Sequence, residues 1–230
     1  TRPLRKTEFI LAHSLIDRRA DDEKLRLKVA PYTASLSWLQ EIGQWKSMLS
    51  VLRQRPIFHI VGLVDAQGVT VASSEEVFHP VNIAEMPHIA VHRVSTQADL
   101  FIGKPIRGRT TGQTSIHFSR RMNNPDGSFA GVVVVAVDPD YFSSFYEGLE
   151  LGPSHGVTLI GLDGIVRARY LAGSREIGQS VTGSQIFRLL PAQTSGSYSS
   201  RGVISDRSRL ISYRKLPLYP LVVRVTNAVG

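Results

Sequence analysis

One succession of elements is written twice along this chain, and that repetition limits the available folds more than any other feature. Ile57 to Val64 is a short apolar run rich in β-branched residues. It ends at the turn Asp65-Ala66-Gln67-Gly68, and extended character resumes from Val69 to Ser73, so a hairpin is expected. A less regular stretch, Ser74 to Leu100, precedes three more strand candidates: Leu100 to Ile106, Thr114 to Met122 and Gly131 to Val137. Turns rich in Gly, Asn, Pro and Asp separate them, each residue favouring a turn for its own backbone reason. The second version is shorter. Val157 to Ile160, a turn at Asp163-Gly164, and Ile165 to Arg169 repeat the hairpin. An irregular or helical stretch, Gly173 to Pro191, leads to strands Ser195 to Ser200, Arg209 to Leu216 and Leu221 to Thr226. The boundary between the two versions is expected near Leu151 to His155.

Two strands, a crossover and a three-stranded meander make a five-stranded antiparallel sheet, with the insert free to cover one face. A helical region is expected ahead of both sheets. Thr7 to Val29 intersperses apolar residues with charge, and Pro31 marks its boundary. Leu36, Leu39, Ile42, Trp45, Leu49 and Leu52 then form an apolar stripe at helical spacing, with Pro56 just beyond. Trp38, Trp45 and their neighbours read as core or dimer interface. The expected fold class is α+β. Residues 1–55 form an N-terminal helical region, 56–150 a first module and 151–230 a second. A ligand would sit between sheet and insert.

Composition narrows the function classes. No run approaches the ~20 apolar residues a membrane-spanning helix needs. No signal-peptide pattern opens the chain, which reads as a soluble piece of something larger. The absence of cysteine removes disulfide scaffolds, thiolate metal sites and cysteine nucleophiles. A formal charge of +8 suggests a polyanion partner, but the basic residues are scattered, without a block or an aromatic stacking motif. Nucleic acid is therefore not the expected partner. The glycine-rich Gly108-Arg-Thr-Thr-Gly-Gln-Thr-Ser lacks the lysine, spacing and following helix of a phosphate loop. There is no Gly-x-Ser-x-Gly elbow, and no spacing singles out a catalytic triad. An enzyme is not expected, nor a cofactor.

Several segments together resemble the double Cache family, the periplasmic, PAS-like sensor regions of bacterial histidine kinases, diguanylate cyclases and chemoreceptors. They are Leu100-Phe-Ile-Gly-Lys-Pro-Ile-Arg-Gly, Ser115-Ile-His-Phe-Ser-Arg-Arg, the stretch from Asn124-Pro-Asp-Gly-Ser-Phe-Ala-Gly to Asp138-Pro-Asp-Tyr-Phe, and Leu162-Asp-Gly-Ile-Val-Arg-Ala-Arg. The resemblance runs from the second helical stretch to Asn227. It implies a membrane-distal module that binds a small molecule and a membrane-proximal module that passes the signal. Membrane helices outside this stretch would anchor the protein, with homodimerisation along the first helix and a kinase or diguanylate cyclase as output. Amino-acid-binding members use an aspartate after the last strand of the first sheet, matched here by Asp138. Ile106 stands where their tyrosine would be, and the insert has no tryptophan.

The residues supply further ligand-binding candidates. His88, His92 and Arg93 lie in the insert, and a guanidinium beside imidazoles suits a small carboxylate or other anion. His88 and His92 are four apart, a spacing that also suits a metal, but no third ligand stands at matching spacing. Phe101 opens the first meander strand, and Ser115 and His117 share a strand face with Ser119. Ligand binding is thus expected at His88, His92, Arg93, Phe101, Ser115, His117 and Asp138, with no metal and no catalytic residue. Two other readings stay open: a ligand-free structural or dimerising module of the same fold, and a basic nucleic-acid-binding domain.

Overall fold

The computed structural model describes residues 57–95, 99–108, 112–147, 155–171, 176–201 and 208–228. The expected N-terminal helices, with Trp38 and Trp45, lie outside the described residues, as does most of the boundary stretch before His155.

Ten strands and three helices are described. The first sheet contains β1 (Phe58–Asp65), β2 (Thr70–Ser73), β3 (Phe101–Arg107), β4 (Thr114–Asn123) and β5 (Phe129–Val137), in the order β2-β1-β5-β4-β3. Helix α1 (Pro87–Val94) lies in its insert, and α2 (Pro139–Glu147) follows β5. The second sheet contains β6 (His155–Gly161), β7 (Val166–Leu171), β8 (Ser195–Arg201), β9 (Ser208–Lys215) and β10 (Leu221–Ala228). Its order, β7-β6-β10-β9-β8, is the first order again, and α3 (Gln185–Leu189) lies in its insert. In each sheet the last strand returns to pair antiparallel with the first, β5 on β1 and β10 on β6. The chain divides into two compact units, Thr1–Gly103 with His117–Val137, and Lys104–Ile116 with Asp138–Gly230.

The two hairpins share their turn chemistry. Asp65 Oδ1 accepts from the backbone N–H of Gln67 and Val69, and Asp163 Oδ1 from that of Ile165. Gly68 and Gly164 follow at φ 88° and 75°, a backbone region costly for any residue with a Cβ. Their carbonyls accept from Ile83 and Val181, which ties each insert to its hairpin. A Cβ at Gly68 would stand 2.4 Å from the Cβ of Ala84, and one at Gly164 2.3 Å from Cγ2 of Thr182.

Each insert helix seats one isoleucine on its sheet. Ile89 is fully buried with Val64, Val132 and Val134, while Ile83, Met86 and Phe129 pack around them. Ile186 is fully buried with Ile160, Ile211, Tyr213 and Val222. Burying one such side chain contributes roughly 2 to 3 kcal/mol.

One element differs from expectation. Helix α2 occupies a stretch where the sequence suggests only a turn. Pro139 sits at its start, where a missing N–H costs nothing, and the Asp138 carboxylate accepts from the N–H of Asp140. The helix packs on β7, with Ser143 donating to the carbonyl of Arg169 at 3.0 Å. The second insert, expected as irregular or helical, is irregular first and helical later. Gly178 adopts positive φ and Ile165 bridges to Ser180, so the helix begins only at Gln185.

Candidate functional site

Helix α1 turns three consecutive-turn residues, His88, Ile89 and His92, into the first sheet. His88 and His92, four apart, lie one turn above the other, and Ile89, three before His92, borders them, so Ile89 anchors the helix while the two imidazoles meet the neighbouring strand. On β4 the two-residue alternation aligns Ser115, His117, Ser119 and Arg121. The His88 and His117 rings stack, with centroids 4.3 Å apart and planes 13° from parallel. His92 Nε2 shares a 2.9 Å hydrogen bond with the Ser119 hydroxyl, and Phe101 stands edge-on to the His92 ring at 6.4 Å.

Beyond this group lies a buried cation. Arg121, 8% exposed, donates from Nη1 to the carbonyl of His92 and from Nε to Oδ1 of Asn123. Its guanidinium carbon lies 4.7 Å from the centre of the Phe129 ring, so a π face covers part of the charge. Arg121 therefore links the end of the insert helix to the sheet.

The imidazoles are held neutral. Burial, followed by the neighbouring His117 and His92, lowers the pKa of His88 to about 3. Burial, then His59, lowers that of His117 to about 4. His92 is lowered mainly by burial and further by Arg121 and Arg120, against an opposing hydrogen bond with Ser119. Near pH 7 each ring is thus a donor and acceptor without charge. Such weak bases are also far from the near-neutral values that favour general-base catalysis. One polar atom remains open. Nδ1 of His117 is buried and has no hydrogen-bond partner.

The structure brings His88, His92, Phe101 and His117 together, with buried Ser115 on the same strand face. Two predicted residues stand apart. Arg93 is exposed, one position past His92 and therefore turned about 100° from the buried face. Asp138 caps α2, its carboxylate accepting from the N–H of Asp140. Sequence reasoning missed Arg121 and Phe129 as members of this group. Continuing the alternation from Ser115 by six residues would have placed Arg121 on that face. His88 and His92 share a face as their spacing suggests, but no three His, Asp or Glu side chains are arranged to hold a metal among the described residues.

Comparison with known proteins places this geometry in context. The family described as dCache_1-like, histidine kinase sensor domain, matches residues 139–226. No protein of curated function matches the sequence. Among solved structures, the chain is similar to the extracellular domain of rpHK1S-Z16, described as a histidine kinase. Identity there is 25%, coverage 98% of this chain and 92% of that one, and the TM-score 0.75. The sensor domain of the V. cholerae histidine kinase DctB is 15% identical, with 98% and 93% coverage and a TM-score of 0.55. The ligand-binding domain of the Campylobacter jejuni chemoreceptor Tlp3, solved with 4-methylisoleucine, is 13% identical, with 99% and 93% coverage and a TM-score of 0.59. These relatives are sensor domains, and the double Cache resemblance read from the residues holds.

Proposed function

We propose that this double Cache-type sensor domain is the extracytoplasmic ligand-sensing region of a bacterial membrane receptor. A small molecule binds beneath α1 in the first module (56–150), and the second module (151–230) passes the change to a cytoplasmic output domain. The observation that carries this reading is the open Nδ1 of His117, a buried polar atom on a ring stacked against His88. A buried polar atom left without a partner is suited to a ligand that completes it. The ligand class that fits is a small carboxylate, an amino acid included. Arg121 supplies the buried positive charge and the neutral imidazoles supply directional hydrogen bonds. The sequence pointed to Arg93 for that charge, but its exposure favours Arg121. Relatives with bound 4-methylisoleucine and asparagine support including amino acids. Signalling requires different affinities for two conformations, and α1, held by one isoleucine and a few polar contacts, is the element able to move.

The test is calorimetric titration of the protein with small dicarboxylates and amino acids. A ligand at ~100 times its dissociation constant adds about 2.7 kcal/mol of stability, so a thermal-shift screen finds it first. His117→Phe should weaken the best hit at least tenfold. A panel with no hit, or affinity indifferent to His117→Phe, sinks the proposal. It favours instead a second reading, that this is a ligand-free structural module. The 2.9 Å hydrogen bond of His92 with Ser119, the histidine stack and the contacts of Arg121 support that reading, because they already satisfy much of the group internally.

A further inference from the structure

The second sheet carries a cationic row that the sensor reading does not use. Arg169, Thr158, Arg224, Tyr213 and Gly196 are directly opposed neighbours across β7, β6, β10, β9 and β8, so their side chains share one face. Two positions along the strands, Thr226, Ile211 and Tyr198 form the next row of that face. Arg209 lies two further residues along β9. Ile160, Ile211, Tyr213 and Val222 of the same face form the core beneath α3, with Tyr198 packed against it, while the arginines stand on β7 and β10.

This face has positive charge and open donors. Arg224 Nη2 reaches the Thr158 hydroxyl at 3.3 Å, a weak contact, while its Nε is buried with no hydrogen-bond partner. Nε of Arg169 is in the same condition, and its ion pair to the exposed Glu176 is long, at 3.6 Å. Among the described residues Arg224 has no carboxylate within ion-pair distance. Tyr213 is 4% exposed, yet its hydroxyl has no hydrogen-bond partner. Its ring leans over Gly196, whose missing Cβ leaves the space; a Cβ there would stand 3.1 Å from the Tyr213 oxygen. Tyr198 lies beside it, ring centroids 6.4 Å apart, and is influenced by Arg224 and by Arg188 of α3. Burial, then Arg169, pushes the Arg224 guanidinium below its ordinary value, Tyr198 opposes the shift and Arg209 adds to it. Like charges gathered in this way are costly unless an anion joins them.

We infer that this face of the second module is a second binding site, taking a small multivalent oxyanion between Arg169 and Arg224, beside the Thr158 hydroxyl. Arg188 and Arg209 at its margins add attraction. Guanidinium N–H groups match oxyanion oxygens in pairs, and the Thr158 hydroxyl, on the strand between the two arginines, supplies a further donor. The site is separate from the histidine group of the first module, and its occupancy would bear on the module that relays the signal.

The test is titration of the protein with inorganic phosphate by calorimetry, in an anion-poor buffer at low ionic strength, with sulfate and malonate as parallel arms. Phosphate should bind with at least tenfold loss of affinity in Arg224→Gln and several-fold loss in Arg169→Gln. His117→Phe in the first module should leave it unchanged, so failure here is distinguishable from failure of the sensor reading. Should Arg224→Gln not fold, Arg169→Gln alone decides, since Arg169 is only half-buried. Tighter binding of malonate than of phosphate and sulfate, with the same mutational pattern, assigns the site to dicarboxylates. Absence of binding in all three arms, or binding indifferent to both variants, overturns the inference.

Discussion

The two modules use one scaffold for opposite purposes beneath their inserts. Strand order, the aspartate-glycine hairpin turn and the buried isoleucine of the insert helix are the same in both. In the first module the helix also lowers two histidines onto the sheet, and burial leaves them neutral while Arg121 carries the charge. In the second the shorter helix carries one buried residue, Ile186, and polarity moves to the arginines of β7 and β10 on the same face. The difference teaches that the sheet and its turn make a frame, while the residues facing the insert decide what the frame can hold.

Acid should separate the two modules most strongly. The histidines of the first have folded-state pKa values below their ordinary 6.5, so the unfolded chain binds more protons between those values. Stability is therefore full above pH 6.5 and declines as pH falls, by about 1.4 kcal/mol per pH unit for each ring until its folded value is reached. By pH 4 the loss is on the order of 3 kcal/mol for each of His88 and His117. Asp163 of the second hairpin behaves oppositely. Burial opposes its ionisation, but hydrogen bonds and charge from Arg167, with the Ile165 N–H, prevail and hold its pKa below 3.8. Its contribution is present above pH 3.8 and lost only below it. NMR titration of labelled histidine checks the first half: His88 and His117 should remain neutral at pH 5, and titration near 6.5 would break the comparison.

Equal truncation of the two helix anchors comes next in size. Ile89→Ala and Ile186→Ala should each cost about 3 kcal/mol, because both side chains are fully buried. Hydrogen exchange resolved by segment should show each loss centred on its own module. A loss spread evenly over both would mean that they unfold as one unit.

The hairpin glycines give the smallest effect. Gly68→Ala and Gly164→Ala should each cost about 1 to 2 kcal/mol, since both combine positive φ with a close approach to the insert. Denaturant unfolding of each variant checks this. A clear inequality between them would show that one insert yields more readily than the other.

Much of the fold was legible in the residues. Alternating and β-branched runs bounded by Gly, Asp, Asn and Pro marked all ten strands to within a few positions, because period and turn chemistry are local properties. Helix α2 was not recognised, although Asp138 and Pro139 form a cap followed by a first-turn proline. The same pair also reads as a turn, and what favours the helix is packing on β7. The second insert reads as irregular or helical from its residues, and what sets where the helix begins includes the bridge from Ser180 to Ile165, a partner outside the segment. The candidate site was legible in residue type and only partly in membership. His88, His92, Phe101 and His117 were named and meet, whereas Arg93 faces away and Arg121 takes the buried position.

By itself the sequence determined the repeated order of strands, the hairpin turns and the sharing of a β4 face by Ser115, His117 and Ser119. All of these follow from backbone preferences acting over a few neighbouring residues. Only the tertiary structure decided which polar groups meet. His92 reaches Ser119 across 27 residues, and Arg121 reaches the carbonyl of His92 across 29. Such contacts exist only after the helix has docked and the sheet has closed. Docking also removes water from the imidazoles, and that loss of water makes them neutral.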